Sequence, residues 1–169
     1  MFNMRLVVRK PLKELPQTYF IKEYNVELDD GRSVIYDLCE IFSDTGDISF
    51  SVSGFGQTEW PVDCVFDLSS VMEQLPEIIK INNGSDFILY FYEQGIEREV
   101  RFVCCVDHYV LTCKSRTDWN PDPDKIKMNK EDVRWMFMSL YNNFIKLSDH
   151  LCPNLARNSL LKKWLKYGR

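Results

Sequence analysis

Residues 86–115 read DFILYFYEQGIEREVRFVCCVDHYVLTCKS, and this stretch decides the fold. Phe87 to Tyr92 is a run of aromatic and β-branched residues, the composition that suits a pleated, packed surface. Glu93-Gln94-Gly95 supplies a turn, because Gly95 is free to take a positive φ. The chain returns through Val100, Phe102 and Val103. A third strand is predicted from Tyr109 to Lys114. A meander this apolar needs cover on at least one face, and amphipathic segments on either side of it can provide that cover.

Upstream, residues 3–9 form a candidate strand ended by Pro11 and Pro16. Phe20, Tyr24, Val26 and Leu28 alternate with polar positions, so residues 19–28 read as a strand. Asp30-Gly31 reads as a hairpin turn. Residues 33–42 then read as an internal strand, apolar on both faces. Asp44-Thr45-Gly46 turns the chain into a one-sided strand over 47–53, with Ile48, Phe50 and Val52 facing in. Gly54-Phe55-Gly56 is too short for a dinucleotide fingerprint and reads as a flexible connector.

Ser70 to Glu73 has the form of a capping box. Val71, Met72, Leu75, Ile78 and Ile79 share a helical face behind it, with Pro76 expected to kink or split the helix. Asn83-Gly84 is the expected stop. Residues 116–124, RTDWNPDPD, form an exposed loop in which Trp119 is expected to tuck back over the core. Asn129 caps a long helix whose stripe runs from Val133 to Leu151. A last short helix covers Ser159 to Tyr167. The fold class expected is α+β: a mostly antiparallel meandering sheet of about six strands with two to three packed helices, in one domain spanning residues 1–169.

The function classes narrow next. No apolar run is long enough to span a bilayer, and Met1 to Leu15 reads as a strand rather than a signal peptide. A cytoplasmic, non-membrane protein is expected. G-x-S-x-G, the phosphate-binding P-loop and H-E-x-x-H are all absent. The two histidines, His108 and His150, have no local partner signature, so no catalytic residue and no cofactor are expected. None of the six cysteines forms a C-x-x-C pair, and reduced, buried thiols are the first reading. A metal site from Cys104, Cys105, His108 and Cys113 would require a tight turn at Asp107-His108, and no metal is expected.

Charge is the strongest functional signal. The net charge is only −4. From Glu27 to Glu77, however, acids dominate and Arg32 is the one base, whereas bases dominate from Lys125 onward. An acidic surface attracts a basic partner and speeds its encounter. Nuclease toxins carry basic clefts because their substrates are polyanions. The size, the acidic balance, the FILYFYEQGIEREVRF hairpin, the DWNPDP loop and the ending HLCPNLARNSLLKKWLKYG resemble immunity proteins of bacterial polymorphic-toxin and contact-dependent growth inhibition systems. The resemblance covers the second half of the chain.

It implies a protein that binds a cognate toxin domain and occludes its basic active-site surface, without nucleic acid as a partner. The contact residues expected are Asp29, Asp30, Asp44 and Asp47 at one set of hairpin ends, or Asp118, Trp119, Asp122 and Asp124 in the later loop. The alternative is a non-catalytic module binding a small ligand or nucleotide, with Tyr36, Phe55 and Trp60 lining its pocket. A third reading is a nucleic-acid binder using Lys162, Lys163, Trp164 and Lys166.

Overall fold

The computed structural model describes residues 1–25, 27–81 and 84–166. The fold is α+β with two antiparallel sheets. Strands β1 (Asn3–Val8) and β2 (Ile48–Ser53) pair along their whole length, with Met4 opposite Val52 and Leu6 opposite Phe50. Strands β3 (Phe87–Phe91), β4 (Arg98–Cys104), β5 (His108–Ser115) and β6 (Lys125–Asn129) form a four-stranded meander in sequence order. Five α-helices complete it: α1 (Gly31–Asp44), α2 (Ser69–Ile81), α3 (Lys130–Leu151), α4 (Pro153–Ala156) and α5 (Ser159–Lys166).

The meander is one-sided. Phe87, Leu89, Phe91, Val100, Phe102, Tyr109, Leu111, Cys113 and Met128 are buried on one face. The residues between them, from Ile88 to Lys127, are half-buried or exposed. Phe87 and Phe102 face each other across β3 and β4 and their rings stack at 4.3 Å. Phe137 of α3 closes on both at 5.7 Å. Gln74 of α2 covers the outer edge of β3: its amide oxygen accepts from the Tyr90 N–H at 2.9 Å, and its nitrogen donates to the Tyr90 carbonyl at 2.8 Å. One side chain thus supplies both bonds a neighbouring strand would have made.

The structure corrects several expectations. Residues 33–42 are helical. Val34, Ile35, Leu38, Ile41 and Phe42 are buried, and their spacing of one, three, three and one is a helix stripe. Asp30-Gly31 is therefore no hairpin: the Asp30 carboxylate accepts from the Arg32 N–H at 2.7 Å and caps α1. Gly31 is needed for closeness, since a Cβ there would sit 2.2 Å from the Trp164 Cβ of α5.

Residues 19–25 are extended but pair with no strand. Their polar groups are met instead by side chains: Asn154 bonds the Phe20 backbone at 2.8 Å, while Lys22 and Tyr24 converge on the buried Asp37 at 2.8 and 2.5 Å. Phe20 and Tyr24 do face the core, as the alternation predicts, whereas Leu28 is exposed. Val26, Asn83 and Tyr167, which the sequence reading places in the strand, the helix stop and the last helix, lie outside the described residues.

The helix after Asp63 begins earlier than the Ser70–Glu73 box implies. Cys64–Leu68 is a π-helical turn, with the Leu68 N–H reaching the Asp63 carbonyl at 3.1 Å. Asp63 caps the Phe66 N–H at 2.7 Å and Asp67 reaches back to the Asp63 N–H at 3.0 Å, the reciprocal arrangement of a capping box. Ser70 Oγ has no partner. α2 continues through Pro76 without dividing. Strand β6 and helix α4 are additions to the sequence reading.

The Gly54-Phe55-Gly56 segment is a tight turn rather than a flexible connector. Gly54 and Gln57 exchange backbone bonds at 2.8 and 3.1 Å, and Phe55 is buried at φ 54°. Gly56, at φ 85°, lies so close to the 116–124 loop that a Cβ would come within 2.0 Å of the Asp122 carbonyl. Gly56→Ala therefore adds a backbone clash to a left-handed penalty of about 1 kcal/mol. Urea unfolding is expected to show a loss of at least about that size, and equal midpoints would contradict the close approach.

Candidate partner-binding surface

The acid-rich part of the sequence folds into one layer. α1, the π turn and α2 pack against one another, so their outward faces adjoin. On α1 the outward positions are Arg32, Tyr36, Glu40 and Asp44, spaced by four. Beside them lie Asp63 and Phe66 of the π turn, and Glu73 and Glu77 of α2. The Tyr36 and Phe66 rings meet at 6.0 Å with an interplanar angle of 56°. Phe66 is 46% exposed, large for an aromatic residue. The π turn accounts for that exposure: one extra residue in the turn rotates Phe66 out while Asp67 and Leu68 stay buried.

The electrostatics agree with the geometry. Burial, followed by Glu40 and the more distant Asp37 and Asp63, pushes the Tyr36 phenol above its ordinary value. Burial raises the Glu73 carboxyl, and Arg32 partly offsets that. Between α2 and α5, Glu73, Pro76, Glu77, Lys80 and Trp164 line a cleft of about 300 Å³. The Trp164 indole N–H at its wall is buried without a partner.

The acidic residues expected at hairpin ends are placed differently. Asp29 and Asp30 precede α1, whereas Asp44 is its last residue and Asp47 follows it, about 21 Å away for a 14-residue helix. They do not form one cluster. Asp29 accepts from the Ser33 hydroxyl at 2.7 Å and the Asn25 N–H at 2.8 Å, which holds its carboxyl below the usual range. Asp30 caps the helix and pairs with Arg32 at 2.7 Å. Asp47 pairs with Lys10 at 2.8 Å, while Asp44 is exposed. In the later loop Asp118, Asp122 and Asp124 are exposed and Trp119 tucks inward. Tyr36, Phe66, Glu40 and Asp63 come together without having been grouped from the sequence. Only Tyr36 was singled out there, as a pocket wall.

Trp119 tucks against a cation. The Arg98 guanidinium lies 3.5 Å from the Trp119 ring centroid and 4.3 Å from that of Trp60, so it is held between two indoles. Arg98 is 3% exposed, donates to Gln57 Oε1 at 2.8 Å, and leaves Nε unpartnered. Burial pushes its pKa down to about 10, so it remains charged at neutral pH. A lysine cannot reproduce the planar stack. Arg98→Lys is expected to cost about 2 kcal/mol, the size of a desolvated cation–π contact, with a change in tryptophan emission. Unaltered stability in urea would remove the clamp from the account.

Asp67, like Asp37, is a buried acid. It is 3% exposed, with Oδ1 unpartnered, and burial raises its carboxyl to about 6. The folded chain therefore holds this proton more tightly than the unfolded chain, whose value is 3.8. The resulting stability is complete below the unfolded value and is lost as pH rises through about 6. Asp67→Asn should flatten that part of the pH–stability profile. Parallel wild-type and variant profiles across this window would show that Asp67 titrates normally.

The cysteines are free thiols, and burial raises Cys39 well above its ordinary value, Cys64 to about 11 and Cys113 to about 12. The tight turn proposed near His108 exists, with the Cys105 N–H bonded to the His108 carbonyl at 2.8 Å. Cys113 nonetheless pairs with Val100, four ladder steps from the Cys104–Tyr109 pair. Among the described residues no three metal-ligating side chains converge. His108 bonds Asp107 at 2.6 Å, and His150 at the end of α3 bonds the Leu15 carbonyl at 3.3 Å.

Phe55 and Trp60 are buried in the core beside Phe2, while Tyr36 meets Phe66 in a tilted contact, so these three do not line a common pocket. Among the described residues no helix is long and apolar enough to cross a membrane. Comparison with protein-family models, with curated proteins and with solved structures returns no match.

Proposed function

We propose that this chain is a bacterial immunity protein. In this reading it neutralises a cognate toxin, a nuclease, by laying the acidic face of α1, the π turn and α2 over the toxin's basic active-site surface. The observation that carries it is the contact of the exposed Phe66 ring with the half-buried Tyr36, beside Glu40 and Asp63. Interfaces draw most of their energy from a few aromatic anchors, and a surrounding charged rim steers and selects the partner. Glu40, Asp44, Asp63, Glu73 and Glu77 against Arg32 and Lys80 suit a toxin surface shaped to hold a polyanion. The protein acts by occupancy, with no reaction of its own, in the cytoplasm.

The test begins by asking whether the upstream neighbouring reading frame encodes a large secreted protein with a variable C-terminal domain, and that domain is the bait. Wild-type protein should bind it and block its activity. Glu40→Lys with Asp63→Lys should slow association about tenfold at low salt, and less at high salt. Phe66→Ala should speed dissociation at least about tenfold, the effect of losing an anchor worth more than 1 kcal/mol. Binding kinetics untouched by either change would defeat the assignment of this face.

A further inference from the structure

The outer face of the four-stranded meander carries a second surface of opposite character. Strand register arranges it in rows. Tyr90, Glu99 and Lys114 lie side by side, and Ile88, Arg101, Thr112 and Lys125 form the next row. Val103, Val110 and Lys127 form a third. Arg101, Lys114, Lys125 and Lys127 are exposed, and Glu99 is the one acid among these rows, 3.8 Å from Lys114. A chain of net charge −4 thus places four cations against one carboxylate in these rows, about 14 Å across three strand spacings, with Glu97 and Arg116 lining the cleft beside Glu99 and Lys114. At the β3 side, Tyr90 and Tyr92 stack at 5.3 Å with rings 14° from parallel, and Tyr92 is 63% exposed.

We infer that this face binds single-stranded nucleic acid. Flat aromatic rings beside a row of cations match a strand whose bases stack and whose phosphates are negative. The tyrosine pair already forms the first step of a stack that a base can extend. Arg101 and the β6 lysines lie across the sheet, within a few nucleotides' reach along the backbone. An acidic polypeptide would satisfy the cations but would leave the parallel rings unused. Lys162, Lys163 and Lys166, the cations weighed for this role from sequence, sit on α5, away from this face.

The probe is a fluorescein-labelled oligothymidylate of about 15 nucleotides, read by anisotropy with the full chain in about 20 mM KCl. The expected result is saturable binding whose log–log slope against salt is about −3, from four cations at about 0.7 per phosphate. Tyr92→Ala should weaken it about tenfold without changing the slope. Lys125→Glu with Lys127→Glu should remove most of it, with unfolding midpoints confirming an intact fold. Phe66→Ala should leave it unchanged, which separates this surface from the toxin-facing one.

The inference is overturned if the oligonucleotide produces no anisotropy change. It is also overturned if the sheet variants bind as the wild type does. Displacement by polyglutamate, with Tyr92→Ala equal to wild type, would assign the face to acidic proteins instead.

Discussion

The structure depends on one constraint: the meander has a single apolar face. Phe87, Phe102 and Tyr109 project from neighbouring strands to the same side, and Phe137 of α3 seals them. α3 packs across that face and α2 along β3, while α1 packs on α2, the π turn and β2, because burying these rings is strongly favourable. The β1–β2 ribbon joins the same side through its contact with α3. Two consequences follow. The acidic residues of α1 and α2 end up on the outside of the helical layer, and the opposite side of the meander is left to water. The acidic outward positions of α1 and α2 thereby lie on different elements from the lysines of the meander, while α5, which carries Lys162, Lys163 and Lys166, packs against α1 and α2.

Within that frame Arg98 has an unusual position. It belongs to the inward row of β4, where its neighbours two and four residues on are Val100 and Phe102. A charge in such a row is costly unless it is satisfied. Here two indole faces and one amide oxygen take the place of a carboxylate. Trp60 comes from the segment after β2 and Trp119 from the loop after β5. The guanidinium therefore joins two connections remote in sequence and fixes the small sheet relative to the large one. A hydrophobic residue in its place could fill the volume but would not dictate the orientation of both rings.

Much of this was legible in the residues. The alternation of Ile48, Phe50 and Val52 located β2, and the Phe87–Tyr92 run with Gly95 located the hairpin. The three- and four-residue spacing from Val133 to Leu151 located α3. Residues 33–42 were misread because an apolar run this dense satisfies period 2 and period 3.6 together, and Asp-Gly serves equally as a turn and as a cap followed by a first helical residue. β6, Lys-Ile-Lys-Met-Asn, alternates at every position but over only five residues directly before the α3 cap, and is ordered by pairing with β5. Phe66 was invisible as a surface residue because its exposure comes from the π turn, which no local composition signals. The acidic bias was readable, but the face that displays it depended on recognising α1 as a helix.

Gln74 has a wider implication than the two bonds it makes. With the Tyr90 backbone occupied on one margin of the sheet, and Lys125 and Lys127 lining the other margin, neither border offers an inviting template to an extended chain. Strand exchange and fibrous growth are discouraged at both ends. A visitor to this sheet therefore meets the side-chain relief of the open face before it meets an unguarded backbone edge.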